Sequence, residues 1–596
     1  MNKQALLGYV LIAVVLIGWM WWTAPKQTAP LQDKNVTPQT VQKDSLPKST
    51  TSSSSKISET TPSTSQSQQQ DSLGKYFSSV SGKEKIITIK TDLYTAEIST
   101  KGGVIKQWTL EKYKTWDKHP VQLITTPQGD FSLLFGTTDG KLINTKNLYF
   151  TTSSSSSITL KDAEEYTLTL ELPAKEGKIL KVLRFKNGMY SFDANIKFVD
   201  MQNVIANYEY QLVWENSLKY TEYNSVDESN YAAAYSYSGG ELTELNATSA
   251  GEIPTANSSG TTDWVALRTK YFSTILISDD NKTNGAYLEG RHLSAPNHGV
   301  IENYSIGLKV PYKNTANEET RFTVYIGPLD YSIVKDYNRS LEKIMSLGWV
   351  VVRPITQYLF IPLFTFLHSF ISNYGLVIIL FTILIKFALH PLTKSSMKSM
   401  KKMQKLQPMM EEIREKYKDD PNTMNVQIMK LYKDYGVNPA GGCLPFLLQM
   451  PILYALYSLF SSSIQLRQSS FIFWMNDLSI PDSIIEFSSA LPIIGNHLSG
   501  LALLMGITTF IQQKMTVQDP RQKMLIWMMP VMLTVMFNNF PAGLNLYYFV
   551  FNLLSIVQQF YINKQHDNMP LQKVPQKKRG SFMERLAKNL PQQPKK

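Results

Sequence analysis

The stretch Leu376-Val377-Ile378-Ile379-Leu380-Phe381-Thr382-Ile383-Leu384-Ile385 runs into Lys386 and resumes as Phe387-Ala388-Leu389, and it decides the fold class. It is apolar enough to predict a membrane-spanning helix. A lysine inside such a helix costs roughly 2.5–3.5 kcal/mol on insertion-derived scales, so it is a functional hypothesis by default. Lys386 also lies about 8 Å of helix before Pro391, where we expect the span to end. Its side chain could therefore snorkel to the interface, and both interpretations stay open on this segment alone.

Other apolar runs predict that the chain crosses the membrane six times. Within residues 1–25, the apolar run closes with Trp19, Trp21 and Trp22. A cleavage site would need small residues there, so we predict an uncleaved signal anchor rather than a cleaved signal peptide. The remaining spans are expected in the core 372–562, at roughly 372–389, 440–463, 491–513 and in the run 525–562. Pro541-Ala542-Gly543 divides that last run into two short spans.

The region between the anchor and the core has a different composition. Residues 26–72 are rich in Ser, Thr, Gln and Pro and predict a flexible tether. Residues 73–328 contain many short alternating segments, such as Phe192 to Phe198 after an Asn-Gly turn, which predict one large all-β sandwich. Within 329–371 we expect a helix over 332–347, followed by an apolar segment at 349–371 that is broken by two prolines.

The distribution of basic residues predicts the topology. Residues 394–435 contain ten Lys and Arg, and the tail 563–596 is also strongly basic, within a formal net charge of +12. The positive-inside rule places these segments and both termini in the cytoplasm, which puts the β domain outside. A seventh span at 349–371 would move the ten-residue cluster outside, so we predict an interfacial or re-entrant helix there. The net charge also suggests contact with anionic lipid or RNA.

Residues 394–436 predict a cytoplasmic helical hairpin. Apolar side chains recur every three or four residues before the turn signal Asp419-Asp420-Pro421-Asn422, and a second amphipathic stretch follows it. The two apolar faces could simply pack on each other, or the flexible thioethers could receive varied apolar partners. The candidate residues for receiving a substrate are Met397, Met400, Met403, Met410 and Tyr417.

Polar side chains recur inside the predicted spans, and they are the candidate residues of a shared hydrated groove. Such groups are expected to face a bundle interior or a wet cavity, because lipid offers them no partners. Hydrogen bonding between helices is the alternative for any one of them. The candidates are Lys386, Thr382, Gln449, Thr508, Asn538, Asn545, Tyr548 and Asn552.

No motif in the sequence indicates an enzyme, a cofactor or a metal site. The single Cys443 cannot form an intrachain disulfide, and the seven histidines have no metal-ligand spacing. Phosphate-loop, dinucleotide and nucleophile-elbow patterns are all lacking from the sequence. We therefore predict no catalytic residues. The alternatives from other functional classes are a solute transporter, against which the lack of an internal repeat argues, and a membrane-anchored carbohydrate-binding protein.

Three motifs in the core resemble the YidC family of bacterial inner-membrane protein insertases. They are Asn438-Pro439-Ala440-Gly441-Gly442-Cys443-Leu444-Pro445 with Gln449-Met450-Pro451-Ile452, Leu389-His390-Pro391-Leu392-Thr393-Lys394, and Phe540-Pro541-Ala542-Gly543-Leu544 with Leu546-Tyr547-Tyr548. The signal anchor, tether and β domain are similar to the Gram-negative layout of that family. Lys386 stands where the family has an arginine, and Asn538-Asn539 is more polar than the family's pattern before the Pro-Ala-Gly turn.

The resemblance implies both architecture and activity. It implies an N-in, C-in polytopic α-helical protein of the bacterial inner membrane with a periplasmic β-supersandwich. It also implies an ATP-independent insertase and membrane chaperone, working alone or with the Sec translocon through a hydrophilic groove with one positive charge. Thr382 and Tyr548 match positions that contact substrates in the family, and the hairpin matches its substrate-receiving element. The implied partners are nascent membrane proteins, Sec translocon subunits, anionic lipid and, through the basic tail and cytoplasmic loops, ribosomes.

Overall fold

The computed structural model describes residues 75–566, except 78, 281, 296–298, 438–443, 492–493 and 517–522, together with residue 573. The signal anchor predicted at 1–25, the tether at 26–72 and nearly all of the tail at 563–596 lie outside the described residues. The chain divides into a β unit, Met1–Ile344, and a helical unit, Met345–Lys596.

The β unit is built from strands whose side chains alternate between buried and exposed. Its strands are β1 (Ile86–Lys90), β2 (Tyr94–Ser99), β3 (Val104–Lys114), β4 (Pro120–Ile124), β5 (Ser132–Thr137), β6 (Leu142–Asn144), β7 (Ser157–Thr159), β8 (Glu165–Pro173), β9 (Lys178–Lys186), β10 (Ser191–Val199), β11 (Ile205–Trp214), β12 (Ala233–Ser238), β13 (Glu241–Leu245), β14 (Thr255–Ser259), β15 (Thr262–Arg268), β16 (Phe272–Ser278), β17 (Gly285–Ala295), β18 (Gly299–Pro311) and β19 (Asn317–Pro328).

These strands form sheets of five, eight and six strands in the described part of the unit. Their orders are β4-β3-β2-β1-β7, β13-β12-β15-β16-β19-β10-β9-β8 and β14-β17-β18-β11-β5-β6. Neighbouring strands are antiparallel, apart from the parallel pair β1 and β7. The register of β10 pairs Phe192 with Phe185 on β9 and Val324 on β19. Residues of one parity fill the core along most of these strands. The sheets confirm the prediction of an all-β domain, and its bounds at 73–328 stay a prediction.

Two short helices accompany the strands: α1 (Ser225–Ser229) and α2 (Tyr331–Asp336). The continuous helix predicted over 332–347 is wrong, because α2 stops at Asp336 and only a 3-10 turn at Leu341–Ile344 follows. Asn338 and Ser340 have φ angles of 52° and 59°, in the left-handed region. A right-handed helix cannot continue through residues in that conformation.

The helical unit begins with α3 (Arg353–Ile355), a π-helical turn at Thr356–Phe360 and α4 (Ile361–Phe370). Its remaining helices are α5 (Tyr374–Lys405), α6 (Gln407–Lys416), α7 (Pro421–Asp434), α8 (Leu444–Ser462), α9 (Gly500–Thr516), α10 (Lys523–Phe537) and α11 (Ala542–His566). Of the described helices, α5 alone meets criteria of length and apolarity for crossing a membrane, and α10 contains a shorter apolar stretch.

Helix α5 extends beyond the predicted span. It continues as a helix through Pro391 to Lys405, whereas the membrane exit expected at Pro391 stays a prediction. A proline removes one main-chain donor, and the turns on either side keep their own hydrogen bonds. The first arm of the predicted hairpin is therefore the end of α5 together with α6. Asp420 begins the second arm, α7, by accepting hydrogen bonds from the main-chain N–H groups of Asn422 and Thr423.

The span predicted from 491 begins too early. Residues Ile485–Leu491 and Gly495–Leu498 form an antiparallel hairpin, β20 and β21, and α9 starts only at Gly500. The Ser499 hydroxyl accepts the Ala502 N–H at 3.0 Å, which is the contact that an N-capping side chain makes. The predicted interruption of the last run is confirmed, because α10 ends at Phe537 and α11 begins at Ala542.

Candidate functional site

Lys386 lies inside the helical unit, and the partners of its charge among the described residues are neutral. The side chain is buried, with 8% of its surface exposed. Its Nζ donates to Ser555 Oγ on α11 at 2.5 Å and stands 4.1 Å from the centroid of the Phe551 ring. No carboxylate of the described residues forms an ion pair with Lys386. An ammonium in this setting keeps much of its attraction for an anion.

Ser555 is a functional candidate that the sequence patterns did not identify. Its Oγ donates to the Phe551 carbonyl oxygen at 2.8 Å, one turn earlier on α11. The hydroxyl proton is thereby committed to the helix, and the oxygen faces Lys386 as an acceptor. Its position three residues after Asn552, between two aliphatic side chains, is a sign that could have drawn attention to it.

Thr382 lies one turn before Lys386 on α5 and is fully buried. Its hydroxyl donates to the Ile378 carbonyl oxygen at 2.6 Å, within the same helix. Threonine hydroxyls in apolar helices are commonly satisfied in this way. The structure therefore places Thr382 one turn from Lys386, and the two side chains are not hydrogen-bonded to each other.

Asn552, Thr508 and Thr509 are brought together between α9 and α11. Asn552 Nδ2 donates to Thr509 Oγ1 at 2.9 Å and to Thr508 Oγ1 at 3.4 Å. Both threonine hydroxyls also donate to the Met505 carbonyl oxygen. These bonds join two apolar helices, which is the interhelical role considered as the alternative to a hydrated groove.

Gln449 reaches α11 from α8. Its Nε2 donates to the Tyr547 hydroxyl at 3.4 Å, and the Tyr547 ring stacks on Phe551 with centroids 5.8 Å apart. The Phe551 ring, which lies against the Lys386 ammonium, thus stacks on Tyr547, and Tyr547 is hydrogen-bonded to α8. Tyr548 turns instead to Phe537, with ring centroids 4.9 Å apart in an edge-on arrangement.

Asn538 and Asn545 lie around the turn between α10 and α11. Asn538 Oδ1 accepts the Ser499 N–H at 2.8 Å, and its Nδ2 donates to the carbonyl oxygens of Ile494 and His497. Asn545 Nδ2 donates to the Phe537 carbonyl oxygen at 3.1 Å. Both side chains therefore satisfy main-chain groups where helices end and β21 leads into α9.

A buried carboxylate, Asp482, contacts the start of α9, and the sequence patterns did not identify it. Asp482 accepts hydrogen bonds from the Trp474 indole N–H at 2.8 Å and from the Leu501 N–H at 3.0 Å. The second bond places a negative charge at the first turn of α9, where it is favourable. Nothing in the sequence spacing connects Asp482 with a helix that starts eighteen residues later.

The predicted receiving residues of the hairpin occupy different environments. Met410 is buried, and the Tyr432 hydroxyl lies 3.4 Å from its sulfur in a cluster with Leu406, Tyr435 and Val437. Met397 is also buried, whereas Met400, Met403 and Tyr417 are half-buried. Packing between the two arms therefore accounts for Met410. The large apolar side chains most exposed on α7 are Val426 and Met429, which were not predicted.

The β unit contains a polar cleft of about 310 Å³ whose charges are already paired. Its lining residues are Glu215, Glu289, Arg291, Asn303 and Ser305. Glu289 accepts two hydrogen bonds from Arg291, and Glu215 accepts one from Lys146 at 2.6 Å. The residues that the structure describes contain no cluster of three or more metal-ligating side chains.

Comparisons with known proteins match both units. A family model of the YidC periplasmic domain matches residues 86–362, and that of the 60Kd inner membrane protein matches residues 366–569. The membrane protein insertase YidC of Chlorobium limicola is 39% identical over 571 residues, which cover 94% of this chain and 95% of that protein. The membrane protein insertase YidC of Chlorobaculum parvum is 39% identical over 573 residues, covering 94% of each chain. A crystal structure of an active YidC insertase matches 81% of this chain and 93% of its own, at 19% identity and a TM-score of 0.34.

Proposed function

Since this chain belongs to the YidC family of bacterial membrane protein insertases, we propose that it inserts nascent proteins into the inner membrane and assists their folding there. The observation that carries this proposal is the buried Lys386 ammonium, which is held by a hydroxyl and an aromatic ring. A charge kept in an apolar helix without a carboxylate partner costs stability, so a role in binding is the simplest reason for its retention.

The proposed topology has six spans with both termini in the cytoplasm. The β unit is then periplasmic, and the basic segment 394–435, which begins within α5, lies on the cytoplasmic side. Lys386 stands about 18 Å along α5 from Tyr374, which is past the middle of a hydrocarbon core roughly 30 Å thick. Its Nζ reaches sideways to α11, and this direction supports the groove hypothesis over snorkelling.

The proposed groove lies along α5 and α11, with α8 and α9 as its neighbours. The candidate groove residues remain those predicted, Lys386, Thr382, Gln449, Thr508, Asn538, Asn545, Tyr548 and Asn552, and Ser555 is added to them. An acidic or polar tail of the substrate enters from the cytoplasm and is attracted by the ammonium, whose field is strong in a medium of low dielectric constant. Polar groups along the groove lower the cost of moving the tail partway across.

The apolar segment of the substrate supplies the driving force. It leaves the groove sideways into lipid, and removing its surface from water is favourable at about 25 cal/mol per Å². No ATP is needed for this step, because the free energy comes from transfer of the substrate itself. The hairpin receives the apolar segment first, through its methionines and through the exposed side chains of Val426 and Met429.

The proposed partners follow from charge and family membership. The basic segments 394–435 and 563–596 suit anionic lipid headgroups and ribosomal RNA, by non-specific electrostatic contact. Sec translocon subunits are proposed as partners for larger substrates. No cofactor and no catalytic residue takes part in this mechanism.

Depletion of the protein followed by protease mapping tests the proposal. One-span and two-span membrane proteins with short translocated tails should lose protease protection of those tails when the chain is depleted, and regain it when the chain is restored. A matched secreted protein that lacks a membrane span serves as the control and should be exported normally. Unchanged protection of the one-span and two-span proteins after depletion would overturn the insertase proposal.

A further inference from the structure

We propose that the Ser555 hydroxyl and the Phe551 ring form a neutral resting seat for the Lys386 ammonium, and that a carboxylate in the substrate's tail displaces Ser555 from it. This inference rests on the proposed function. It names a positioning residue, Ser555, and a class of substrate group, the carboxylate, at the same groove. The seat comprises the 2.5 Å hydrogen bond to Ser555 Oγ and the ring face 4.1 Å from Nζ.

The orientation of Ser555 is fixed by its own helix. Its hydroxyl proton points to the Phe551 carbonyl oxygen at 2.8 Å. The lone pairs are consequently left for Lys386, and Ser555 acts toward the lysine as an acceptor only. One side chain thus holds the ammonium without adding a charge to the groove.

The Phe551 ring is the second half of the seat, and neighbouring groups hold it in place. It stacks on Tyr547, whose hydroxyl accepts a hydrogen bond from Gln449 on α8. The negative face of an aromatic ring attracts a cation, most strongly when water is excluded. The ammonium is thereby kept inside the unit at rest, although four rotatable bonds allow its stem to move.

A substrate carboxylate is a stronger partner than this seat. Hydrogen bonds in which the donor or the acceptor is ionised are about twice as strong as neutral ones, so the bond from Lys386 to Ser555 is already charge-assisted. A carboxylate adds the attraction between two opposite charges, which a hydroxyl does not offer. A carboxylate in an acidic tail therefore replaces Ser555 as the partner of Lys386, whereas with a neutral tail Lys386 stays bound to Ser555. A permanent carboxylate at position 555 would remove this selectivity by pairing with the lysine.

Ser555→Asp tests the seat, and Ser555→Asn is its neutral control of the same shape. Both variants of the full chain are compared at matched levels, using two one-span substrates whose tails carry either two Asp or two Asn. We expect Ser555→Asp to insert the Asp tail roughly tenfold less than Ser555→Asn does, a difference of about 1.4 kcal/mol. The Asn tail should differ by less than about twofold between the two variants, because no charge contact is lost. Equal effects on both tails, or no effect on either, would overturn the proposal.

Two further variants keep the test decisive if Ser555→Asp fails to accumulate. Ser555→Thr retains the hydroxyl and should keep the wild-type ratio of Asp-tail to Asn-tail insertion. Ser555→Ala leaves the ammonium only the ring, so we expect that ratio to rise by about twofold or more. A wild-type or lower ratio in Ser555→Ala would overturn the seat.

Lys386→Ala separates this inference from the proposed function. If Lys386→Ala lowers the insertion of both tails by the same factor relative to wild type, or of neither tail, the attraction of acidic tails by Lys386 is wrong. If Lys386→Ala lowers the insertion of the Asp tail selectively and Ser555→Asp does not, the attraction stands and the seat is wrong.

Discussion

Each unit of the molecule buries a lysine, and the two ammonium groups have different partners. Lys181 in the β unit is fully buried and donates to three main-chain carbonyl oxygens at 2.7, 3.0 and 3.3 Å. Lys386 in the helical unit donates to one hydroxyl and lies over one ring. An ammonium has three protons, so the first lysine is saturated and the second is not.

This difference distinguishes a structural charge from an available one. The three carbonyl groups around Lys181 belong to Gly102, Gly103 and Phe131, so that one side chain ties the β2–β3 turn to the segment before β5. All three protons of the Lys181 ammonium are used in these bonds, so it has none left to donate to a further ligand. At Lys386, the neutral partners leave most of the charge uncompensated, and an incoming carboxylate can improve on them.

Replacement of Lys181 by methionine should have the largest effect on stability. The three carbonyl groups would lose their donor inside the protein, and each unsatisfied buried acceptor is costly. We expect a loss of about 3 kcal/mol or more in the unfolding free energy of the β unit, measured by denaturant titration of the full chain. The control is Lys178→Met, which removes a partly exposed pair with Glu171 and should cost less than about 1 kcal/mol. Equal losses in the two variants would contradict the structural role of Lys181.

The buried carboxyl of Glu228 should make the β unit less stable at high pH. Glu228 accepts the N–H groups of Thr221 and Glu222 at 2.9 Å, and burial raises its pKa from 4.5 to about 8. The negative charge of Glu222 raises the pKa further, whereas the positive charge of Lys270 opposes the shift. The folded unit therefore keeps a proton that the unfolded chain releases. Stability from this group is fully present below pH 4.5 and is lost as the pH rises through 8.

Glu228→Gln should flatten this dependence. We expect the wild-type β unit to lose about 2.5 kcal/mol of unfolding free energy between pH 5 and pH 7 relative to the variant. Hydrogen exchange of the Thr221 and Glu222 amides in the full chain measures this change in unfolding free energy with pH. The exposed Glu241, replaced by Gln, is the control and should follow the wild type. A parallel decline in wild type and Glu228→Gln would exclude Glu228 as the cause.

Asn552→Leu should lower stability by a smaller amount, and it should affect the insertion of acidic and neutral tails equally. The variant loses the bonds from Nδ2 to Thr508 and Thr509, and hydrogen bonds between membrane helices contribute about 0.6 kcal/mol on average and up to roughly 1.7. We expect a loss near 1 kcal/mol in detergent unfolding and equal reductions in the insertion of acidic and neutral tails. Leu553→Ala, at an exposed position of the same helix, controls for general disturbance. A loss confined to acidic tails would assign Asn552 to recognition instead.

Sequence periodicity predicted the elements whose contacts repeat along one segment. The alternation at Phe192 to Phe198 identified β10, and the run around Leu376 identified α5, because burial of one face imposes a period on the sequence. The Pro-Ala-Gly turn was also found, since proline and glycine act locally. The β20–β21 hairpin was missed because its strands are short and mixed in polarity, so neither has a clear period of its own.

The candidate site was predicted less completely, because its contacts join distant parts of the chain. Ser555 lies 169 residues from Lys386, and no spacing within one helix reveals that pair. Asn538 was predicted as a groove residue from its polarity, but its hydrogen bonds go to main-chain groups of Ser499 and the β21 region. Polarity in an apolar run indicates that a partner exists, whereas the fold alone determines which partner it is.

The most direct test of the account compares Lys386→Ala with Lys386→Arg, using one-span substrates that differ only in two Asp or two Asn residues in the tail. If the ammonium attracts carboxylates, Lys386→Ala should insert the Asp tail about tenfold less than wild type and the Asn tail within about twofold. Lys386→Arg keeps the charge and should retain the preference for the Asp tail. An unchanged ratio of Asp-tail to Asn-tail insertion in Lys386→Ala, at normal protein levels, would contradict the proposal that Lys386 is the recognition charge of this insertase.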